Sequence, residues 1–321
     1  MAGEDPVGAG AGRPGPNAPN SFRGTLLRVL AAAGVALVAL GAKSLLLDGE
    51  GSPSDTRGAN LREIEVGSDL LERDVPVNVV VPKGAFDGKR SLVVFLHGRN
   101  GDESSHLDQE MYGALARLRG KAPVVAFPGG DETSYWHDRE AGAWGSFVLD
   151  ELIPKLVERF EIEPERVAIG GISMGGFGAY NLARRQPERF CAIGAHAPAV
   201  WLSAGETAPG AFDDAEDFER NNVIAALGPG GESDGALDEK ATWVDVGTED
   251  PFAGAAGALG EALESGEGTH SFRTGAGGHE DSYWTSKWRS YIRFYGTELK
   301  ACGDALRERR RAERASGEPG A

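Results

Sequence analysis

From residue 59 to residue 300 the chain alternates two hydrophobic patterns. One is the short continuous apolar run, such as Ser91-Leu92-Val93-Val94-Phe95-Leu96, which reads as a strand buried on both faces. The other is a longer stretch whose apolar positions return every three or four residues, as on one face of a helix. The runs predict strands over 61–66, 75–81, 91–97, 122–127, 166–170, 191–196, 241–246 and 269–274. The longer stretches predict helices over 107–119, 144–160, 174–186, 214–226, 252–264 and 282–298. Strand–helix alternation implies an α/β fold: a mostly parallel central sheet of about eight strands, flanked by helices on both faces. The first two strands have no helix between them and are expected to pair antiparallel. Trp284, Trp288, Tyr291 and Tyr295 recur at helical spacing and read as core. The segment 197–238 is rich in Gly, Ala, Pro and acid, and fits a lid or a plain surface excursion equally well.

The pattern outside this region is different. Residues 1–25 hold few large apolar groups and read as a disordered tail. Leu26 to Leu47 is apolar except for Arg28 and Lys43 near its ends, where long basic side chains can reach the interface. An uncleaved transmembrane anchor is placed ahead of a cleaved signal peptide because Leu45-Leu46-Leu47 prolong the run. The cleavage alternative would use Ala39-Leu40-Gly41. Either reading puts the rest of the chain outside the cytoplasm, and basic residues on the N-terminal side agree with that orientation. The third reading is a buried soluble helix. Residues 48–58 read as a linker, 59–300 as the catalytic domain, and 301–321 as a solvated charged tail, with contact to an anionic surface as a second reading.

Composition narrows the function classes. Of 321 residues 40% are hydrophobic and 26% charged, which suits a large folded core and excludes full disorder. The net charge of −16 repels phosphate backbones and sets nucleic-acid partners aside. Two cysteines are too few for a disulfide scaffold or a four-cysteine zinc site; one Cys191–Cys302 bond is available.

Gly171-Ile172-Ser173-Met174-Gly175 matches G-x-S-x-G. The pattern is common by chance, but here a short apolar strand precedes it and a helix-forming stretch follows. A serine on such a strand-to-helix turn is held in a strained conformation with its hydroxyl facing out. Small residues at 171 and 175 let the two backbones nearly touch. A serine hydroxyl needs a base. With the chain order serine, acid, histidine, only His196, His270 and His279 qualify by position. His196 follows the serine too soon, and His270 lies inside a strand. His279 follows a strand through Gly275-Ala276-Gly277-Gly278, in a loop able to reach the serine. The acid is read as Asp250, in the loop after the strand 241–246; Glu249 is the fallback and Asp245 lies mid-strand. A plain helix cap is the bland reading of Asp250.

An oxyanion hole needs two N–H donors. Met174, after the serine, supplies one, and the loop His97-Gly98-Arg99-Asn100-Gly101 supplies the other. His97 reads as structural or as part of the substrate cleft. Tyr135-Trp136-His137-Asp138 could line the cleft rim, with Trp136 stacking on a sugar or aromatic acyl group, or could be local packing. The chemistry requires no metal or cofactor.

Taken with Leu96-His97-Gly98, Gly171-Ile172-Ser173-Met174-Gly175-Gly176-Phe177-Gly178-Ala179, Asp250-Pro251-Phe252 and Gly278-His279, the chain resembles the α/β-hydrolase superfamily. Within it, the Ser-Met-Gly-Gly form of the turn resembles the serine esterases that include esterase D, feruloyl and acetylxylan-type esterases and the mycolyltransferases. The resemblance covers about residues 60–299. It implies a triad of Ser173, Asp250 and His279, with Met174 and Arg99 as backbone donors. Arg99 stands where the family carries a small or apolar residue. The expected activity is hydrolysis of a small-molecule or carbohydrate-linked ester through an acyl-serine. Acyl transfer to a sugar hydroxyl, or a non-catalytic binding module on the same scaffold, are the alternatives.

Overall fold

A computed structural model of the chain describes residues 55–84, 88–264 and 268–316. The readings of residues 1–25 and 26–47, and nearly all of the linker reading, lie outside the described residues. Among the described residues no helix is long and apolar enough to cross a membrane.

All eight expected strands form: β1 (Ala59–Ser68), β2 (Arg73–Pro82), β3 (Arg90–Leu96), β4 (Val124–Pro128), β5 (Ile162–Ile172), β6 (Phe190–His196), β7 (Ala241–Gly247) and β8 (His270–Gly275). They make one sheet in the order β1-β2-β4-β3-β5-β6-β7-β8. β2 runs antiparallel to β1 and to β4, and all other pairs are parallel. The antiparallel start is therefore as expected.

The helices are α1 (Gln109–Arg117), α2, α3 (Met174–Arg185), α4 (Ala215–Asn221), α5 (Val223–Leu227), α6 (Ala253–Leu263) and α7 (Asp281–Ser316). α2 is continuous but mixed: Trp144–Ser146, a π-helical stretch Phe147–Leu152, then Ile153–Arg159. Pro154 explains the wide turn, since it donates no N–H and its ring crowds the carbonyl four residues back. The helix expected over 214–226 is two helices, because the Asn222 side chain accepts the Ala225 N–H and starts α5 afresh. A two-residue ladder, Asp138–Arg139 with Gly142–Ala143, has no counterpart in the sequence pattern.

The unbroken apolar runs are explained by two cores. Leu92, Val94 and Leu96 of β3 face one core, with Phe147, Leu152, Phe177, Tyr180 and Leu259 from α2, α3 and α6. Val93 and Phe95 face the other, with Met111 and Leu115 of α1 and Trp288, Tyr291 and Tyr295 of α7. Successive side chains of one strand point to opposite faces, so a strand covered on both sides is apolar throughout.

α7 runs well past the expected end at 298. The charged segment 301–316 is helical, because its charges pair along the helix and onto the sheet. Lys300 pairs with Asp304, and Arg310 bonds Glu163 at 3.2 Å and Glu165 at 2.6 Å. A disulfide joins Cys191 at the start of β6 to Cys302 on α7.

Candidate active site

The turn between β5 and α3 holds Ser173 at φ 55°, ψ −116°. This is left-handed backbone that a non-glycine residue adopts only under constraint. The constraint is packing on both sides: a Cβ at Gly171 would stand 2.5 Å from Gly175 and 2.6 Å from the Leu96 carbonyl oxygen. The Ser173 N–H donates to the His196 carbonyl at 3.0 Å, and its own carbonyl accepts from Phe177 and Ala199. So fixed, the hydroxyl meets His279: Oγ to Nε2 is 2.8 Å.

His279 follows β8, and Asp250 follows the neighbouring strand β7. Backbone bonds join the two loops, Thr248 N–H to Gly275 O at 2.8 Å and Glu249 N–H to Gly277 O at 3.0 Å. His279 Nδ1 lies 2.8 Å from Asp250 Oδ2, and Asp250 Oδ1 accepts the Phe252 N–H at 2.8 Å. Asp250 is therefore more than a turn-former: one oxygen fixes the turn and the other the imidazole. It is buried, whereas the His279 side chain keeps 23% of its surface exposed. Phe252 and Trp284 meet the imidazole edge-on, with centroids 5.0 and 5.1 Å away. The other acids lie elsewhere: Glu249 is exposed, and Asp245 bonds His196.

The turn after β3 passes beside the serine, since a Cβ at Gly98 would lie 3.4 Å from Ser173 Cβ. Within it, the Asn100 N–H goes to Glu132 O and the Gly101 N–H to Gly98 O, both at 3.0 Å. The Arg99 N–H has no partner among the described residues. Met174 opens α3, where an N–H lacks an intrahelical acceptor. Both expected oxyanion donors thus flank Ser173.

A cleft of about 510 Å³ opens over Ser173, lined by Arg99, Tyr135, Ala199, Phe252, His279 and Trp284 among others. The two substrate-cleft candidates, His97 and Trp136, do not line it. Trp136 is fully buried, donates its indole N–H to the His97 carbonyl at 3.1 Å and packs against Gly178. His97 is also buried; burial pushes its imidazole below the ordinary range, and Nδ1 sits 2.8 Å from Gly98 O. Together they hold the turn that carries Arg99. Tyr135, one residue earlier, is the aromatic that reaches the cleft. Trp284 is a second correction: of the four α7 aromatics expected in the core, it alone lines the cleft. Phe252 lies two residues after Asp250 and Tyr135 one before Trp136, and that closeness to the candidate residues was the available signal. The 197–238 segment supplies one wall through Ala199 and Ala208. It is tied down by Arg139 to Asp213 at 2.8 Å and His137 to Asp217 at 3.0 Å.

Residues 68–294 match the model of the Esterase family, described as "Putative esterase". The chain belongs to this family. A curated relative, the MPT51 antigen of Mycobacterium leprae (strain TN), is 28% identical over 184 residues, covering 56% of this chain and 58% of that protein. The chain thus spans little more than half the length of that relative. Among solved structures, a ferulic acid esterase superposes with a TM-score of 0.66 at 20% identity, over 75% of this chain and 98% of that one. An S-formylglutathione hydrolase from Agrobacterium tumefaciens also gives 0.66, at 19% identity, over 75% and 96%. These likenesses agree with an α/β-hydrolase fold.

Proposed function

We propose that the protein is an extracytoplasmic serine esterase that works through an acyl-Ser173 intermediate, with 59–300 as its catalytic domain. The observation that carries this is the unbroken relay Ser173 Oγ–His279 Nε2 and His279 Nδ1–Asp250 Oδ2, each link 2.8 Å, at the floor of an open cleft. His279 Nε2 takes the hydroxyl proton as Oγ attacks the ester carbonyl carbon. The carbonyl oxygen gains the charge and accepts from the Met174 and Arg99 N–H groups. His279 then gives its proton to the departing alcohol oxygen. Water, deprotonated by the same nitrogen, releases the acid and restores Ser173. Asp250 keeps Nδ1–H pointed inward and stabilises the imidazolium.

The apolar segment 26–47 with basic N-terminal flank supports a location outside the cytoplasm, as an anchor or a cleaved signal. The Cys191–Cys302 bond supports it too, since disulfides persist in oxidising compartments. A sugar hydroxyl entering the same cleft would turn hydrolysis into acyl transfer; product analysis with added sugar separates the two. The test of the nucleophile is labelling with a fluorophosphonate followed by peptide mapping. Modification of Ser173, absent in Ser173→Ala, is expected. Labelling of another serine with Ser173 intact would overturn the reading, and a folded protein that takes up no label would favour the binding-module alternative.

A further inference from the structure

Among the residues lining the cleft, Arg99 is the one arginine or lysine and Asp281 the one acid. Several other arginines of this acidic chain are paired with acids: Arg139 with Asp213, Arg184 with Glu232, Arg310 with Glu163 and Glu165. Arg99 is exposed and makes no ion pair among the described residues. The acid nearest in sequence, Asp102, is turned into its own loop, where Oδ1 accepts the Ser104 N–H at 2.9 Å and the Ser104 and Ser105 hydroxyls at 2.7 and 3.0 Å.

What the guanidinium does have is the Tyr135 hydroxyl beside it. Tyr135 is held there by strained backbone: Tyr135 and Trp136 are both left-handed, at φ 47° and 54°. Two consecutive non-glycine residues in that region cost on the order of 1–3 kcal/mol each and persist only when packing over-determines them. The packing is that of Trp136, wedged against Gly178 and Gly130 with its ring 6.2 Å from that of Trp144. Tyr135 is backed by Phe177, Trp201 and Phe212, at 6.0, 5.7 and 6.1 Å between ring centroids. The result is a charged planar fork of five guanidinium donors and the hydroxyl of a largely buried tyrosine, both lining the cleft that holds Ser173. A planar fork of donors matches the two oxygens of a carboxylate.

Resting on the esterase reading above, we propose that Arg99, with the Tyr135 hydroxyl, binds a free carboxylate on the substrate, so that the preferred esters carry an anionic group a few bonds from the scissile carbonyl. Asp281, at the start of α7, is the one acid lining the same cleft and disfavours a placement of that group beside it. The carboxylate can belong to the acyl part or to the alcohol part, and the test has an arm for each.

The acyl arm compares 4-nitrophenyl hydrogen succinate with 4-nitrophenyl butyrate. The alcohol arm compares 4-carboxyphenyl butyrate with its neutral 4-carbamoylphenyl analogue. In each arm the readout is the ratio of kcat/KM, charged over neutral, for wild type, Arg99→Gln and Arg99→Lys. A ratio cancels any change at the Arg99 N–H, because both esters use it alike. In one arm the wild-type ratio is expected to fall about tenfold in Arg99→Gln, with partial recovery in Arg99→Lys. Tyr135→Phe should lower it about threefold. Ratios unmoved by Arg99→Gln in both arms would overturn the inference while leaving the esterase reading intact. Turnover of none of the four esters would instead remove the esterase reading, and this inference with it.

Discussion

Two histidine–aspartate pairs sit at the carboxyl end of the same sheet and differ in what surrounds them. His279 meets Asp250 at 2.8 Å; His196 meets Asp245 at 2.7 Å. Beyond His279 the far nitrogen finds the Ser173 hydroxyl and an open cleft. Beyond His196 it finds the Tyr295 hydroxyl at 2.9 Å, with no solvent access at all. The second carboxylate oxygen differs as well. Asp250 Oδ1 accepts one backbone N–H, whereas Asp245 Oδ2 accepts the Tyr283 and Tyr291 hydroxyls, each at 3.0 Å. The Tyr291 ring stacks on His196 with centroids 3.5 Å apart. An imidazole–carboxylate pair is thus a proton relay only where its free nitrogen reaches a weak nucleophile that substrate can also reach. Closed off by phenols, the same pair is a fastener between β6, β7 and α7.

The comparison breaks most sharply on the two aspartates. Asp250→Asn is expected to lower kcat by about 10⁴, because an amide no longer selects the productive tautomer or stabilises the imidazolium. Asp245→Asn, measured below its own unfolding temperature and per mole of labelled Ser173, should keep kcat within about tenfold, since no bond of the relay is touched. Equal losses would mean the two pairs act as one unit. The reverse ranking would give Asp245 the role argued for Asp250.

How far each pair was legible in the chain follows from the same contrast. The relay could be read because each member sits at a position with few alternatives: Ser173 between glycines on a strand-to-helix turn, Asp250 and His279 in loops after consecutive strands. Position along the chain also set His196 and Asp245 aside from the chemistry. Nothing in the sequence said what they do instead, because their partners Tyr283, Tyr291 and Tyr295 lie far away on α7 and are joined only by folding. The strands were legible because burial on two faces leaves no polar position to confuse the run. α7 was not legible beyond 298, because its last turns depend on Glu163 and Glu165 of β5 and on the Cys191–Cys302 bond. Trp136 was misplaced for a related reason. A tryptophan in a loop after a strand suits a cleft rim equally well, and only the paired left-handed residues 135 and 136 decide which of the two rings lines the cleft.

The fastener role carries its own expectation. Asp245→Ala leaves His196 and two buried phenols without their acceptor, so the folded state should lose about 3–5 kcal/mol, the range for breaking a buried polar pair from one side. His279→Ala, which removes a partly exposed side chain, should cost about 1 kcal/mol or less. Urea unfolding of the two variants ranks them directly. A smaller loss for Asp245→Ala than for His279→Ala would leave the His196 cluster without a structural role.

A smaller effect than that of Asp245→Ala sits where the two regions touch. Tyr283 lies in the first turn of α7, its ring against Gly277 in the loop that delivers His279, and its hydroxyl donates to Asp245. Burial, and then the negative charge of Asp245, push the Tyr283 phenol far above its ordinary range, and Tyr291 is pushed the same way. The fold therefore favours the neutral phenol. A group whose folded pKa lies above the unfolded one gives its full contribution below the unfolded value, near 10 for tyrosine, and loses it as pH rises beyond. Wild type should lose stability above about pH 10, at up to ~1.4 kcal/mol per pH unit for each such phenol. Tyr283→Phe should be less stable at pH 7 by about 1–2 kcal/mol, for one lost bond to a charged acceptor, yet fall less steeply above pH 10. Urea unfolding at pH 7, 9 and 10.5 measures both. Parallel losses for the two proteins would show that Tyr283 ionises as readily in the fold as in the unfolded chain, and would cut the link between the sealed pair and the loop that carries His279.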